Sequence, residues 1–298
     1  MSPVSIVIPT YGRGQVLVDT ISYLLRLETR AEEILIVDQT TAHEASVAEA
    51  LAGWDRESAI RWVRQSTVSI PNAMNRGLQE ARHEIVLFLD DDIVPDAKLV
   101  EAHERGHLEQ TGNIVAGRIL QPWHDGQPDP PDRNPFGFNA LEPHDVEEFM
   151  GGNFSLRRKA ALQIGGFDEN FVRVAYRFEA EFAHRWRRSG RSIRYEPTAL
   201  IHHLKAGSGG TRSFGGHLTT IKPDHAVGAY YFLLRTSTFP TALMASFKRL
   251  VRSVMTRHHL RQPWWIPMTF VAELGGMAWA SILAMRGPRY ITPETGSG

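Results

Sequence analysis

The chain contains no cysteine. That absence excludes a disulfide framework, thiol catalysis and a zinc site built on cysteine, and it fits a reducing compartment such as the cytoplasm. Net charge is missing too: 33 Lys and Arg balance 33 Asp and Glu over 298 residues. No global positive field is available to gather nucleic acid, and no such partner is expected. No predicted strand runs into a G-x-G-x-x-G turn, which disfavours a Rossmann dehydrogenase. Internal repeats are absent. Met1-Ser2-Pro3 leads directly into the apolar residues 4–8 without a charged n-region, so this stretch is expected to be a strand rather than a secretory signal. With 42% hydrophobic and 22% charged residues, the composition is that of a folded chain, long enough for one large α/β domain plus an appendage or for two small domains.

What is present alternates. Residues 4–8 read as a buried strand, and Leu17, Ile21, Leu24 and Leu25 then recur at helical spacing. Residues 34–37 form a second apolar run closed by Asp38. A helix is expected around 45–52, a strand at 60–63, and a helix opening near Pro71 and ending near Arg82. Residues 85–89 are continuously apolar and stop at Asp90-Asp91-Asp92. Apolar runs separated by amphipathic helices imply a parallel sheet covered on both faces, whose ligands bind beyond the carboxyl ends of the strands. Pro9-Thr10-Tyr11, Asp38-Gln39-Thr40 and the three aspartates are therefore expected to converge on one ligand. Between Gln121 and Pro143 the composition turns to Pro, Asp, Gly and Asn, as in Asp129-Pro130-Pro131-Asp132, and reads as a long functional loop. Residues 178–189 are expected to form a helix, and 192–195 and 199–203 two short strands broken by Pro197. From about His225 onward the pattern is helical.

Asp90 and Asp92, separated by one residue at a strand end, suit a hard divalent cation that also grips diphosphate oxygens, Mn²⁺ or Mg²⁺. Such a cation would relieve the repulsion among neighbouring carboxylates. Taken singly, an acidic triplet is as readily a solvated loop or a cap. Asp38 can accept the ring N–H of a pyrimidine base, or serve as a turn residue. Arg76, on the helix that opens near Pro71, could reach phosphate or stay solvated. Glu181 has Arg185 four residues on and reads as a surface ion pair. Glu179 is thus the better candidate for a general base that must reach an attacking hydroxyl. His202 and His203 face opposite sides of a strand, so one of them could complete a metal shell.

In combination these residues resemble the family 2 glycosyltransferases, inverting enzymes of the GT-A fold. The resemblance is carried by Ser5-Ile6-Val7-Ile8-Pro9-Thr10-Tyr11-Gly12-Arg13, Ile36-Val37-Asp38, Asn75-Arg76-Gly77, Phe88-Leu89-Asp90-Asp91-Asp92, Gly151-Gly152-Asn153-Phe154-Ser155-Leu156-Arg157-Arg158, Gly165-Gly166-Phe167-Asp168-Glu169, and Tyr195-Glu196-Pro197 leading to His203. It implies an α/β GT-A (nucleotide-diphospho-sugar transferase) fold: a mostly parallel central sheet flanked by helices, with a C-terminal helical appendage. Residues 1–224 would be the catalytic domain, with a nucleotide-binding half to about 120 and an acceptor half from about 121. Residues 225–298 would be the appendage. The resemblance further implies that Thr10, Tyr11 and Asp38 hold the base. Pro9, Arg13, Arg76, Asp90 and Asp91 complete the nucleotide set, with Asp91 near the ribose or donor sugar. Asp90, Asp92 and His203 would hold the metal, and Gly151, Gly152 and Asn153 would line the donor-sugar and acceptor pocket. The family usually shows Glu-Asp at the start of the helix that carries the base, and here Phe178-Glu179 stands in its place. The implied reaction is a single displacement from a UDP- or dTDP-sugar onto the hydroxyl of a glycan or lipid-linked acceptor, as in cell-surface polysaccharide or glycolipid synthesis. A nucleotidyltransferase and a non-catalytic sugar-nucleotide-binding protein are the alternatives.

In the last third, Phe247, Leu250, Val251, Val254 and Met255 form one apolar helical stripe beside Lys248, Arg249, Arg252, Arg257 and Arg261, with no acidic residue from 245 to 262. A basic amphipathic helix suits the surface of a membrane on its cytoplasmic face. Residues 266–285 nearly reach the length of a span, but Pro267, Glu273 and Gly275-Gly276 argue against a simple one. A helical pair packed on the catalytic domain, or on a second subunit in a homo-oligomer, is the other reading.

Overall fold

A computed structural model describes residues 3–109, 113–124 and 138–292. Asp129-Pro130-Pro131-Asp132 lies outside the described residues. The first seven elements alternate as the apolar runs imply: β1 (Val4–Thr10), α1 (Gln15–Leu25), β2 (Glu33–Asp38), α2 (Ala45–Arg56), β3 (Arg61–Arg64), α3 (Ile70–Glu80) and β4 (Ile85–Leu89). They are followed by β5 (Ile93–Pro95), α4 (Leu99–Glu109), β6 (Ile114–Leu120), β7 (His144–Asp145), β8 (Asn153–Arg157), α5 (Arg158–Gln163), α6 (Phe178–Arg188) and β9 (Ile193–His203). Four helices close the chain: α7 (Ala226–Thr236), α8 (Phe239–Val254), α9 (Arg257–Arg261) and α10 (Trp265–Arg286).

The strands form one sheet in the order β3-β2-β1-β4-β8-β6-β9-β5, with β7 attached to β9. β1 lies parallel to β2 and β4, with Thr10 opposite Asp38 and Val7 opposite Phe88. Antiparallel pairing begins where β8 joins β4. The expected parallel arrangement therefore holds over the first four strands, and the whole sheet is mixed. Because side chains alternate along a strand, β1 and β4 feed two cores. Val7, Val86 and Phe88 pack with α3, α6 and α7 on one face, while Ile6, Ile8, Leu87 and Leu89 pack with α1, α2 and α4 on the other.

Pro197 does not split β9 in two. The register against β6 jumps from Gly117–Glu196 to Arg118–Leu200, which places the proline in a bulge where its missing N–H costs no ladder bond. The C-terminal helices join the core on one face of the sheet, since Val227, Tyr230 and Tyr231 of α7 and Ala280 and Leu283 of α10 pack in the same cluster as Phe182 and Trp186 of α6. α8 turns Ala242 and Ser246 inward. Its apolar stripe faces outward, with Phe247 and Met255 65% and 74% exposed. α10 is long and apolar enough to cross a bilayer by length and composition. One of its faces, including Ala272, Glu273 and Gly276, is buried, and α7 is among its neighbours.

α3 begins where Ser69 accepts a hydrogen bond from the Asn72 N–H, and Pro71 sits in its first turn. Gly77 lets this helix rest on β1: a methyl there would lie 2.3 Å from Val7 Cγ1. Gly77→Ala is expected to destabilise the chain by about 1–3 kcal/mol through overpacking. In chemical denaturation, Val7→Ala combined with Gly77→Ala should cost less than the sum of the two single changes, because the smaller side chain removes the clash.

Candidate active site

β4 ends at Leu89, and the next three carboxylates take different partners. Asp91 accepts hydrogen bonds from Thr10 Oγ1 at 2.7 Å and from Arg13 Nε at 2.7 Å, tying the loop after β1 to the end of β4. Asp92 accepts one from the Ala206 N–H at 2.8 Å on Oδ2, and the Arg13 guanidinium stands 3.5 Å from the same oxygen. Its other oxygen, Oδ1, is buried and has no hydrogen-bond partner. His203 Nε2 lies 3.2 Å from that oxygen and 3.8 Å from Asp90 Oδ2. Asp90 is 40% exposed on its side chain and opens onto the cleft, whereas Asp92 is sealed at 1%.

The imidazole is oriented from behind. His203 Nδ1 lies 2.9 Å from Gln121 Oε1, an acceptor, so Nδ1 is the donor and the neutral ring directs the Nε2 lone pair at the carboxylates. Lone pair then faces lone pair at Asp92 Oδ1, an arrangement relieved by a proton or a cation. Ligand atoms of Asp90, Asp92 and His203 all lie within 4.8 Å of one another. Two carboxylates and a neutral imidazole, with an unsatisfied buried oxygen among them, fit a divalent cation such as Mn²⁺ or Mg²⁺. Burial raises the Asp90 carboxyl and pushes Asp91 up to about 6, against the pull of Arg13. Burial also works to raise Asp92, but in the absence of a cation a proton on His203 Nε2, together with Arg13 and the Ala206 N–H, holds it below the ordinary carboxylate range. The turn thus holds its negative charge at a cost that a cation would remove.

Opposite this turn stands Glu179, in the first turn of α6. The residues before it, Arg173, Ala175 and Arg177, have φ of 61°, 54° and 73°, left-handed values that bend the chain sharply and aim the helix start into the cleft. Gly151 and Gly152 form the floor between the two acidic walls. A methyl at Gly152 would meet Asp90 Oδ2 at 2.1 Å, and one at Gly151 would meet Glu179 Oε1 at 3.0 Å. Burial pushes the Glu179 carboxyl up to about 7, with Asp90 adding to the rise. The cleft between these walls has a volume of about 440 Å³, and Pro9, Tyr11, Arg13 and Gln39 also line it.

The structure therefore brings together Pro9, Thr10, Tyr11, Arg13, Asp90, Asp91, Gly151, Gly152, Glu179 and His203. His202 is exposed on the opposite side of β9. Asp38, Arg76 and Asn153 are not among the cleft's lining residues. Asp38 is fully buried, and its carboxylate is engaged by the Thr40 N–H on Oδ1 and by His43 and Trp62 Nε1 on Oδ2, which turns it away from the cleft. Arg76 points outward and pairs with Glu80 at 2.6 Å, one turn along α3. Asn153 is a strut inside the sheet: its amide donates to Arg118 O and Ala199 O, and its Oδ1 meets His103. Burial lowers His103 to about 4, so that imidazole is neutral in the core. Glu181 is no surface ion pair. It is buried and held by Arg185 Nε at 2.7 Å and Nη2 at 2.9 Å. Two groups escaped the sequence reading. Gln121 opens the Pro-rich segment, where a loop signature hides single contacts. Arg177, ion-paired with Glu148 at 2.6 Å on the cleft wall, adjoins the Phe178-Glu179 departure, which was the available signal.

Residues 5–165 match the family described as Glycosyl transferase family 2. Among curated proteins, 247 residues of alignment show 24% identity to a chondroitin synthase of Escherichia coli, covering 67% of this chain and 34% of that protein. A stretch of 114 residues is 32% identical to EpsJ of Bacillus subtilis (strain 168), described as an uncharacterized glycosyltransferase, covering 37% of this chain and 33% of that protein. The chain thus spans about a third of the length of these relatives. Among solved structures, GalNAc-T7 with UDP, GalNAc and Mn²⁺ superposes with a TM-score of 0.58 at 15% identity over 68% of this chain and 44% of that one. The mannosyltransferase PcManGT from Pyrobaculum calidifontis, in complex with GDP-Man and Mn²⁺, superposes with a TM-score of 0.55 at 17% identity over 96% of this chain and 79% of that one. At these identities the likeness is one of fold.

The raised Glu179 carboxyl predicts a pH-dependent stability. Below pH 4.5 the group is neutral in both folded and unfolded chains, and as pH rises through about 7 the folded chain must bury its charge. Glu179→Gln removes that charge. In metal-free buffer its melting temperature should match the parent's near pH 4.5 and exceed it by about 2–4 °C at pH 8. A gap that shrinks with rising pH would contradict the assignment.

Proposed function

The chain belongs to glycosyl transferase family 2 and has the GT-A fold, and from that premise we propose that it moves a sugar from a nucleotide diphosphate to an acceptor hydroxyl with inversion at the anomeric carbon. The donor is a UDP- or dTDP-sugar, and the acceptor is a glycan or lipid-linked saccharide of a cell-surface polymer or glycolipid. One observation carries this reading: a three-ligand metal set, Asp90, Asp92 and His203, faces a half-buried carboxylate, Glu179, across a floor of two glycines.

In this reading Asp90, Asp92 and His203 hold Mn²⁺ or Mg²⁺, which when bound neutralises charge developing on the leaving diphosphate. Gln121 fixes the imidazole so that Nε2 is available. Pro9, Tyr11 and Gln39 flank the nucleotide, and Arg13 supports Asp91 and Asp92 from behind. Glu179 takes the proton of the attacking hydroxyl as that oxygen bonds the anomeric carbon on the face opposite the diphosphate. A carboxyl near pH 7 is matched to this task, since it ionises at working pH and still accepts a proton readily. Gly151 and Gly152 leave room for the sugar between base and metal set, and hold both substrates in line. Residues 1–224 supply this chemistry. Residues from 225 onward rest on the cytoplasmic face of a membrane through the exposed apolar side of α8, which supports a lipid-linked acceptor.

The test is turnover on a donor panel with Mn²⁺. Glu179→Gln should lower kcat at least about 10²-fold with little change in donor KM. Asp92→Asn or a chelator should remove both turnover and the nucleotide's thermal stabilisation. The parent's kcat should fall as pH drops through about 7, because the base must be ionised, and the product should carry the opposite anomeric configuration to the donor. Full turnover in chelator would defeat the reading. For the membrane contact, flotation on anionic liposomes should be lost in Phe247→Asp combined with Met255→Asp. Equal flotation of this variant and the parent would remove the membrane from the proposal.

A further inference from the structure

A second cavity, of about 560 Å³, lies between α7, α8 and α10, and it meets the first at two residues: Tyr176 and Arg177 line both. Arg177 faces both ways. Its guanidinium is held by Glu148 of the cleft wall at 2.6 Å, and it lies over the ring of Phe232, in the second cavity, at 4.5 Å. Glu179, the proposed base, is two residues further along the same chain.

The charge inside this second cavity does not balance. Its one lining carboxylate, Glu273, is buried and already satisfied, accepting from Tyr230 Oη at 2.7 Å and pairing with Arg249 at 3.0 Å. Lys248 and Arg252 also line it and make no ion pair among the described residues. Two cations are thus left over in a pocket whose apolar wall is formed by Leu218, Ala229, Phe232, Leu233 and Ala245. A cavity with surplus cations on one apolar wall is complementary to an anion carried by a larger group.

Helical spacing adds the direction. Ala245, Lys248, Arg249 and Arg252 follow one face of α8 into the cavity, while Leu243, Phe247 and Val251 occupy the solvent-facing side. Lys248 and Arg252 stand on the boundary between the two. A phosphate seated on them has the catalytic cleft on one side, past Arg177, and exposed apolar surface on the other.

We propose that the second cavity seats a phosphate or diphosphate group borne by the acceptor, held by Lys248 and Arg252, so that the sugar attached to it passes Tyr176 and Arg177 to present its hydroxyl to Glu179. This rests on the glycosyltransferase reading and narrows its acceptor to a phosphorylated one. The anion belongs to a lipid headgroup or to a soluble sugar phosphate, and both use the same cations.

The full chain is titrated calorimetrically in chelator, which keeps the metal set from capturing phosphate, with farnesyl phosphate, farnesol and glucose 1-phosphate as probes. Thermal stabilisation by UDP with Mn²⁺ is measured on the same samples. Both side chains are exposed and unpaired, so Lys248→Ala with Arg252→Ala should fold and keep the nucleotide response. Farnesyl phosphate should bind the parent, and the double variant should bind it at least tenfold more weakly, with farnesol weaker than farnesyl phosphate by a similar factor. Glucose 1-phosphate binding with the same dependence on the two cations supports the site and makes the source soluble. Farnesol binding as tightly as farnesyl phosphate, an unchanged double variant, or no binding of either phosphate by a chain that answers to UDP and Mn²⁺ overturns the proposal. A chain that binds the phosphate probe and not the nucleotide refutes the glycosyltransferase reading instead, and with it the assignment of this anion to an acceptor.

Discussion

Three carboxylates in consecutive positions, at the end of a strand with no exposed residue, repel one another where water screens little. The chain meets that repulsion with partners from distant segments: Thr10 and Arg13 from the loop after β1, His203 from the end of β9, and Ala206 just beyond it. The three aspartates are not equivalent as a result. Asp91 is consumed by internal donors and acts as a clasp that brings the first loop to the fourth strand. Asp92 spends one oxygen on the backbone and keeps the other unsatisfied. Asp90 is the most exposed of the three and opens onto the cleft. A cation between Asp90, Asp92 and His203 would satisfy the remaining oxygen of Asp92 without disturbing the clasp.

The opposite wall depends on a different device. α6 carries two glutamates two residues apart, and their fates diverge because of rotation about the helix axis. Glu181 turns into the protein, where Arg185 grips both its oxygens and also reaches Ile164 O and Gly166 O. This buried pair anchors the helix from behind. Glu179 faces the cleft with its carboxyl raised by burial and by Asp90 across the glycine floor. The left-handed residues before the helix are held in place by the Arg177–Glu148 pair and by the packing of Gly228 against Tyr176, where a methyl would lie 2.4 Å from the Tyr176 carbonyl oxygen. Glu179 is thus positioned jointly by Glu148 on the cleft wall and by α7, the first C-terminal helix.

The parts of this arrangement that were legible in the sequence are those set by local rules. Residues 34–37 and 85–89 announce buried parallel strands because both faces of such a sheet are covered and the whole run must be apolar. The ends of those runs then mark the cleft. Residues whose surroundings come from far along the chain were not legible. Asp38 looks available at a strand end, but His43 and Trp62 close over it, and nothing in its own neighbourhood reveals Trp62 Nε1. Arg76 has a carboxylate, Glu80, one turn away, and the local pair won over any distant phosphate. Asn153 follows the two glycines in sequence, yet strand alternation turns it into the sheet, where His103 and two carbonyls need it. Pro197 misled in the opposite sense, because a bulge absorbed it.

The C-terminal helices are where charge and shape have to be read together. An apolar stripe on α8 is compatible with a core, a partner or a bilayer, and hydropathy alone does not choose. Packing removes the first: α8 buries the side bearing Ala242 and Ser246 and leaves Phe247 and Met255 in solvent. Charge then separates the rest. Glu273, the only acidic residue in α8 to α10, is turned inward and paired with Arg249 and Tyr230. The solvent-facing boundary between the apolar side and the second cavity therefore carries positive charge alone, in Lys248 and Arg252. A chain with zero formal charge overall has concentrated an excess of one sign beside an exposed apolar surface, with Tyr176 and Arg177 shared between that cavity and the cleft that holds Glu179. An anionic group joined to both a sugar and an apolar body meets all three features of that surface at once.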